Sequence, residues 1–321
     1  MEKSLRYAAC IVAWLLVPPH AVAQSGAKPV RFVVPYPPGG VNDIVARMLG
    51  QRMAAVSGQQ WVIENRPGRG GSIGSEVVAR APADGSTLLH GGMGSLTLAP
   101  FLGKVPYDTL KDFAPITLTA RAPNVVAVHP SLPARSVKEL IALAKTRPGA
   151  LSYATPGVGS TPHLTAALFI TTAGIDMVHV PYKGGAQATT DLVAGQVPVG
   201  FAPIASVVPH VGAGRLRGLA VSSLQRSALM PAVPTVSEAG LTGFEMNPWF
   251  GVIAPGGTPA TVLAKLNAEL TRILRESDIV ASLEKQGVDA AHSTPGEFAA
   301  LIKGDLQKWD KVIQQAGIPR E

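Results

Sequence analysis

The stretch Val30-Arg31-Phe32-Val33-Val34-Pro35-Tyr36-Pro37-Pro38-Gly39-Gly40-Val41-Asn42-Asp43 decides the architecture. Its first five residues are apolar apart from Arg31 and rich in valine, the composition of a buried strand. Prolines and glycines then stop the strand, and helical periodicity runs from about Asn42 to Ala55. A strand that turns through glycine into a helix is half of a βαβ unit, and the pattern recurs downstream. Trp61–Ile63, Thr87–Leu89, Val125–Val128, Leu151–Ala154, Val178–Val180 and Val197–Phe201 read as strands. Helices are expected at Ser72–Ala81, Val137–Thr146, Pro162–Thr172 and Ala186–Ala194. This alternation predicts an α/β protein with parallel sheets covered by helices. The last third breaks the rhythm. Phe250–Ala254 is apolar, Pro255-Gly256-Gly257-Thr258-Pro259 punctuates, and helices are expected at Ala260–Ser277, Ile279–Gln286 and Pro295–Gln315.

The N-terminus carries the order of a secretory signal: Lys3 and Arg6, an apolar run from Tyr7 to Val17, then Ala21-Val22-Ala23 as a small-residue cleavage site. The apolar run is well short of the roughly 20 residues needed to span a bilayer. Cys10 lacks the leucine that precedes a lipidated cysteine. Cleavage after Ala23 is therefore expected, which places the mature chain in the periplasm and removes the single cysteine. Without a thiol, the mature chain has no disulfide framework and no Cys-ligated metal. A hydrophobic content of 46% against 15% charged residues indicates a packed globular chain. Its length most naturally makes two domains.

The formal charge of +7 falls to 26 − 20 = +6 once Glu2, Lys3 and Arg6 are gone. A positive surface favours an anionic ligand. The basic residues are scattered, with no run and no stripe among aromatics, so nucleic acid is not expected as a partner.

Three glycine-rich strand-to-helix junctions are the candidate site. They are Pro35–Asp43, Thr155–His163 and Tyr182–Ala186. Ligands of open α/β sheets gather at the carboxyl ends of strands, where helix N-termini offer unpaired N–H groups and partial positive charge to an anion. A charge-assisted hydrogen bond contributes roughly 1.5–3 kcal/mol, whereas micromolar binding needs about −8 kcal/mol net. Several loops closing from two sides are therefore required. Simpler readings stand beside this one: Ser160 or Thr161 as an N-cap ahead of Pro162, His163 as a packing histidine, and Asp43 as a helix cap. Gly70-Gly71-Ser72-Ile73-Gly74 matches the nucleophile elbow G-x-S-x-G, which would make a secreted esterase. The elbow needs its serine directly after a strand, and here Glu64–Arg69 separate the motif from Trp61–Ile63. Ser72 therefore reads better as an N-cap. His163, His179, His210 and His292 show no metal-ligand spacing, and no phosphate-loop motif is present. No catalytic residue, metal or cofactor is expected.

Nine fragments in order resemble the extracytoplasmic receptors of the tripartite tricarboxylate transporter family, also called Bug receptors. They are PYPPGGVNDIVAR (35–47), ENRPGRGGSIG (64–74), ADGSTLL (83–89), YDTLKDFAPI (107–116), SYATPGVGSTPHL (152–164), VPYKGG (180–185), DLVAGQV (191–197), LAVSS (219–223) and WFGVIAPGGTP (249–259). Each is weak alone; nine in register are specific. The resemblance implies a two-lobed periplasmic binding protein fold of type II-like form, with two crossing strands between lobes and the ligand in the cleft. Lobe 1 would be 28–122 plus 248–321, and lobe 2 would be 123–247. It implies a small carboxylate ligand delivered to membrane transporter subunits, or shown to a signalling partner, by a monomer. Carried over by motif, Tyr36, Pro38, Gly39, Gly40 and Asp43 would hold a carboxylate from lobe 1. Thr155, Gly157, Gly159, Ser160 and His163 would hold it from lobe 2. Ser95, Tyr182, Gly184, Phe201 and Ala202 would shape the distal end. Pro198 and Ala202 stand where relatives often carry an acid. A ligand amine would need a buried countercharge, so an amine-free acid is expected.

Overall fold

A computed structural model describes residues 28–318, and the expected signal segment lies outside the described residues. The chain opens with β1 (Val30–Val34), α1 (Val41–Ser57), β2 (Trp61–Asn65), α2 (Ser72–Ala79), β3 (Thr87–Gly92), the one-turn helix α3 (Ala99–Leu102) and the long strand β4 (Phe113–Arg121). It crosses into β5 (Asn124–Val128), α4 (Val137–Thr146), β6 (Ser152–Thr155), α5 (Thr161–Ala173), β7 (Val178–Pro181), α6 (Gly185–Val193), β8 (Val199–Pro203), α7 (Ile204–Gly212) and β9 (Arg217–Val221). It returns through β10 (Trp249–Pro255) to α8 (Ala260–Leu274), α9 (Ser277–Lys285), the short β11 (Asp289–Ala290) and α10 (Pro295–Gln315).

Two sheets result, in the orders β11-β4-β10-β3-β1-β2 and β7-β6-β8-β5-β9. Within each, the strands that feed the glycine loops are parallel: β1 lies between β2 and β3, and β6 between β7 and β8. The crossing strands are antiparallel to their neighbours, with β10 between β3 and β4 and β5 between β8 and β9. Both parallel strands therefore release their loops toward the gap between the sheets. One large apolar cluster joins the two lobes, uniting Trp249, Phe298 and Trp309 with Phe169, Phe201 and Phe244. A second cluster packs α1, α8 and α9 on the first sheet through Leu49, Met53, Leu270, Ile273 and Leu283.

Some elements differ from the periodicity. The helix expected over 260–277 stops at Leu274, because Glu276 is extended and serves as the N-cap of α9. Strand β4 is hidden by Pro115, which local rules count against a strand. Pro115 sits where the register with β10 slips between Val252 and Ile253, the kind of bulge that tolerates proline. Helix α7 carries Pro209 inside it and has no polar N-cap, since Pro203 occupies that position.

The lobes touch at the margins of the gap. A β-carbon on Gly159 would lie 2.8 Å from Leu102 Cδ1 in α3, and one on Gly287 would lie 2.5 Å from Ala205 Cβ in α7. Within the first lobe, Gly251 of β10 lets the Phe298 ring lie flush on the sheet. A β-carbon there would be 2.4 Å from the ring and 2.8 Å from Thr117 O. Phe298 is fully buried and cannot yield cheaply. Gly251→Ala is expected to cost about 1–3 kcal/mol, measured as a lower urea midpoint with an unchanged slope.

Candidate functional site

A cavity of about 690 Å3 opens between the sheets, within the about 300–1,000 Å3 usual for small-molecule sites. Three helix N-termini reach it. From the first lobe come α1, through Gly40, Val41 and Asn42, and α2, through Arg69, Gly70 and Ser72. From the second comes α5, through Gly157, Val158, Gly159, Ser160 and Thr161. The crossing segments form the floor with Ala122, Asn124, Pro248, Trp249 and Phe250, while Met93, Leu102 and Val105 make an apolar wall. Arg69 and Lys104 are the charged residues in the lining; no Asp, Glu or His is among the described residues there. Two cations and three helix N-termini, with no counter-anion among them, make a strongly anion-seeking space.

Local chemistry explains how each loop is held. The Asp43 carboxylate accepts from Gly39 N–H and Arg47 Nε, each at 2.9 Å, and from Asn65 Nδ2 at 2.9 Å. Asn65 also donates to Tyr36 O at 3.2 Å, so Asp43 and Asn65 clamp both ends of the turn. Burial alone would raise the Asp43 carboxyl, but the bonds from Arg47, Gly39 and Asn65 outweigh it and hold it below its ordinary value. Asp43 is thus paired within its own loop and outside the cavity wall. Gly40, the N-cap of α1, supplies no side-chain cap, and the amides of Gly40, Val41 and Asn42 have no protein partner among the described residues.

The second loop is built differently. Ser160 caps α5 by accepting from His163 N–H at 3.3 Å, and its hydroxyl donates to Gly157 O at 2.7 Å. Gly157 N–H donates to Thr155 Oγ1 at 3.3 Å and Gly159 N–H to His163 Nδ1 at 3.1 Å. Those two amides are spent inside the loop; the amides of Val158 and Thr161 remain free among the described residues. Both glycines have positive φ, +146° and +74°. Their contribution is conformation, not donors. For His163 to accept at Nδ1, its proton must sit on Nε2. Its ring stacks on His179 at 4.1 Å, and His179 Nε2 meets Thr155 Oγ1 at 2.7 Å. Burial, reinforced by the charge of His179, pushes His163 down to about 4.

Of the residues nominated from sequence, Tyr36, Gly40, Gly157, Gly159 and Ser160 line the cavity. Pro38 and Gly39 lie on the exposed side of their turn. Ser95 is buried, close enough to Gly71 that a β-carbon there would meet its own at 2.8 Å. Thr155 and His163 support the second loop from beneath. Tyr182 donates its hydroxyl to Asp191 at 2.8 Å, and Gly184 N–H donates to Pro156 O at 3.0 Å, bracing the loop from behind. Phe201 and Ala202 are buried in β8. Ser72 is the first residue of α2, and the N-cap expected of it falls instead to Gly71, whose φ of 97° suits glycine. Sequence reasoning misses Asn42, Arg69, Lys104, Asn124 and Trp249. Asn42, Arg69 and Trp249 lie inside quoted motifs, and for Asn42 and Arg69 their polar character near glycine is the available signal.

Against known proteins, the profile described as tripartite tricarboxylate transporter family receptor matches residues 45–318. The UPF0065 protein of the tcbD-tcbE intergenic region of Pseudomonas sp. is 41% identical over 288 residues, 89% of this chain and 86% of the relative. A Rhodopseudomonas palustris protein solved with adipate is 35% identical with a TM-score of 0.79, covering 92% of this chain and 100% of that one. MatC from Rhodopseudomonas palustris with bound malate is 32% identical with a TM-score of 0.74, covering 90% and 99%.

The histidine pair gives a pH signature. The folded state holds His163 neutral, well below the ordinary value of 6.5, so the stability it contributes is full above about pH 6.5 and drains away as pH falls toward 4. His163→Gln should flatten that part of the profile. The check is the melting temperature of both proteins from pH 7 to 4, with a steeper acid decline in the unsubstituted chain.

Proposed function

The chain belongs to the tripartite tricarboxylate transporter family of receptors, and from that premise we propose that it is a periplasmic receptor whose cleft captures a small amine-free organic acid for uptake by a transporter of that type. As a receptor, it is a solute-binding protein and not an enzyme. The observation that carries the reading is one cavity lined by N-termini of helices from both lobes, with Arg69 and Lys104 and no carboxylate among the described lining residues. Each helix terminus contributes about 0.3–1 kcal/mol toward an anion; charge-assisted bonds to Arg69, Lys104 and the free amides add roughly 1.5–3 kcal/mol each. An ammonium group would meet two cations and no carboxylate among the described lining residues, which favours acids without an amine.

The relatives solved with adipate and malate support the carboxylate class, and the apolar wall suits the carbon body between carboxylates. In mechanism, an acid enters the open cleft, touches residues of 28–122 plus 248–321 on one side and 123–247 on the other, and favours the form in which both contact it. The shift is limited to the difference in affinity between the two forms. Membrane transporter subunits would then recognise the closed form.

Thermal-shift screening of the chain from Gln24 onward with adipate, succinate, malate and aspartate tests this. Saturation a thousandfold over Kd adds about 4 kcal/mol, so a true ligand raises the melting temperature by several degrees; stabilisation by aspartate alone would count against an amine-free acid. Gly40→Leu separates site from scaffold. A β-carbon at Gly40 meets only Pro37 O, at 3.8 Å, so the fold should hold while the added side chain obstructs the α1 amides. Loss of binding with the melting temperature of the free protein unchanged within about 2 °C is expected, since a ΔΔG well below 1 kcal/mol moves it little.

A further inference from the structure

We propose that this cleft selects its acid by apolar length. Val158 of the second lobe and Leu102 of the first are the residues that close on the carbon body. The proposal rests on the carboxylate reading of the cleft and narrows it to acids with a body longer than that of succinate.

Size comes first. The space between the sheets is about 690 Å3, enough for on the order of 20 waters at the volume each takes in the liquid. A short acid replaces only a few of them and leaves most of the wall wet. Apolar side chains outnumber polar ones in that lining, and water held against them leaves at a gain in free energy. A longer carbon body collects that gain; a short one does not.

Placement comes second. Val158 is 51% exposed and stands at the tip of the second loop, in the cavity lining. Both flanking glycines are pressed against neighbours. A β-carbon on Gly157 would lie 2.9 Å from Tyr182 O, and one on Gly159 would lie 2.8 Å from Leu102 Cδ1. The loop therefore passes Leu102 at the seam where the lobes touch, and Val158 is one residue from that seam. Leu102, half-buried at the end of α3, lines the cavity with Val105 and the buried Met93. A lone exposed valine is ordinary on a protein surface. This one belongs to a cavity wall, across a seam from a leucine of the other lobe. The helix termini, Arg69 and Lys104 act on charge and are indifferent to how long the ligand is. Each methylene that replaces water against apolar side chains tightens binding about fourfold when fully buried.

Isothermal titration of succinate, glutarate, adipate, suberate and malate at one salt concentration tests this. Affinity is expected to rise about threefold per methylene, with suberate at least tenfold tighter than succinate. The heat-capacity change on binding should grow more negative along the series, the mark of apolar burial. Val158→Ser removes two methyl groups at an exposed tip. It is expected to cut the suberate-to-succinate ratio at least threefold and to leave the melting temperature of the free protein within about 2 °C. Leu102→Asn should reduce the ratio in the same sense; if it fails to fold, Val158→Ser decides alone. A ratio below tenfold, malate binding as tightly as suberate, or a ratio that Val158→Ser leaves within threefold overturns selection by apolar length. Each of those outcomes leaves the carboxylate receptor standing. Binding by none of the acids overturns the carboxylate reading itself, and this proposal with it.

Discussion

Two chain crossings, hydrogen-bonded to each other, set everything else in this molecule. Ala122 N–H donates to Pro248 O and Met246 N–H to Ser222 O, both at 2.8 Å, while Asn124 and Ser222 exchange bonds at 2.9 and 2.8 Å. The outgoing and returning segments thus form one short ribbon. Because β4 and β10 continue it into the first sheet and β9 and β5 into the second, the sheets cannot drift apart sideways. Their loop-bearing edges are obliged to face each other. The ribbon is also the cleft floor, so bending it alters the site directly. Trp249, on that floor, is tied by its indole N–H to the buried Asp305 of α10 at 2.6 Å, which couples the floor to the C-terminal helix.

The glycine loops serve the site in two distinct ways. In the first, Asp43 absorbs the Gly39 amide and leaves the α1 terminus open, so the loop delivers free donors. In the second, Thr155 and His163 absorb the Gly157 and Gly159 amides, and the loop delivers shape: close approach to Leu102 and positive φ that other residues rarely adopt. The same sequence signature, glycine between strand and helix, hides this difference. It depends on which neighbouring side chain happens to be an acceptor, and that is settled only in three dimensions.

The fold is largely legible because hydrophobic period and turn chemistry agree along most of the chain. β1, α4 and α10 have the expected bounds, and Ser136 and Thr294 cap the two helices with their hydroxyls. Among the elements that periodicity misses, β4 and α7 each contain a proline that local rules count against regular structure, and tertiary pairing overrides those rules. For the cleft, two of the three nominated loops converge on the cavity while Tyr182–Ala186 stands behind the second, and its charge and its unpaired amides come from Arg69, Lys104, Asn42 and Asn124. Long-range contacts carry those residues to the wall. No spacing could reveal how Asn124 is oriented, since that depends on Thr165, 41 positions further along the chain.

A receptor of this kind faces a physical conflict: helix termini and cations attract any small anion, and indiscriminate attraction gives affinity without selectivity. Selectivity must come from groups that are costly to leave unmatched. Arg69 and Lys104 cannot provide it, because water and salt satisfy them when no ligand is present. The apolar wall of Met93, Leu102 and Val105 can, since a charged or poorly shaped group set against it loses its water and gains no partner.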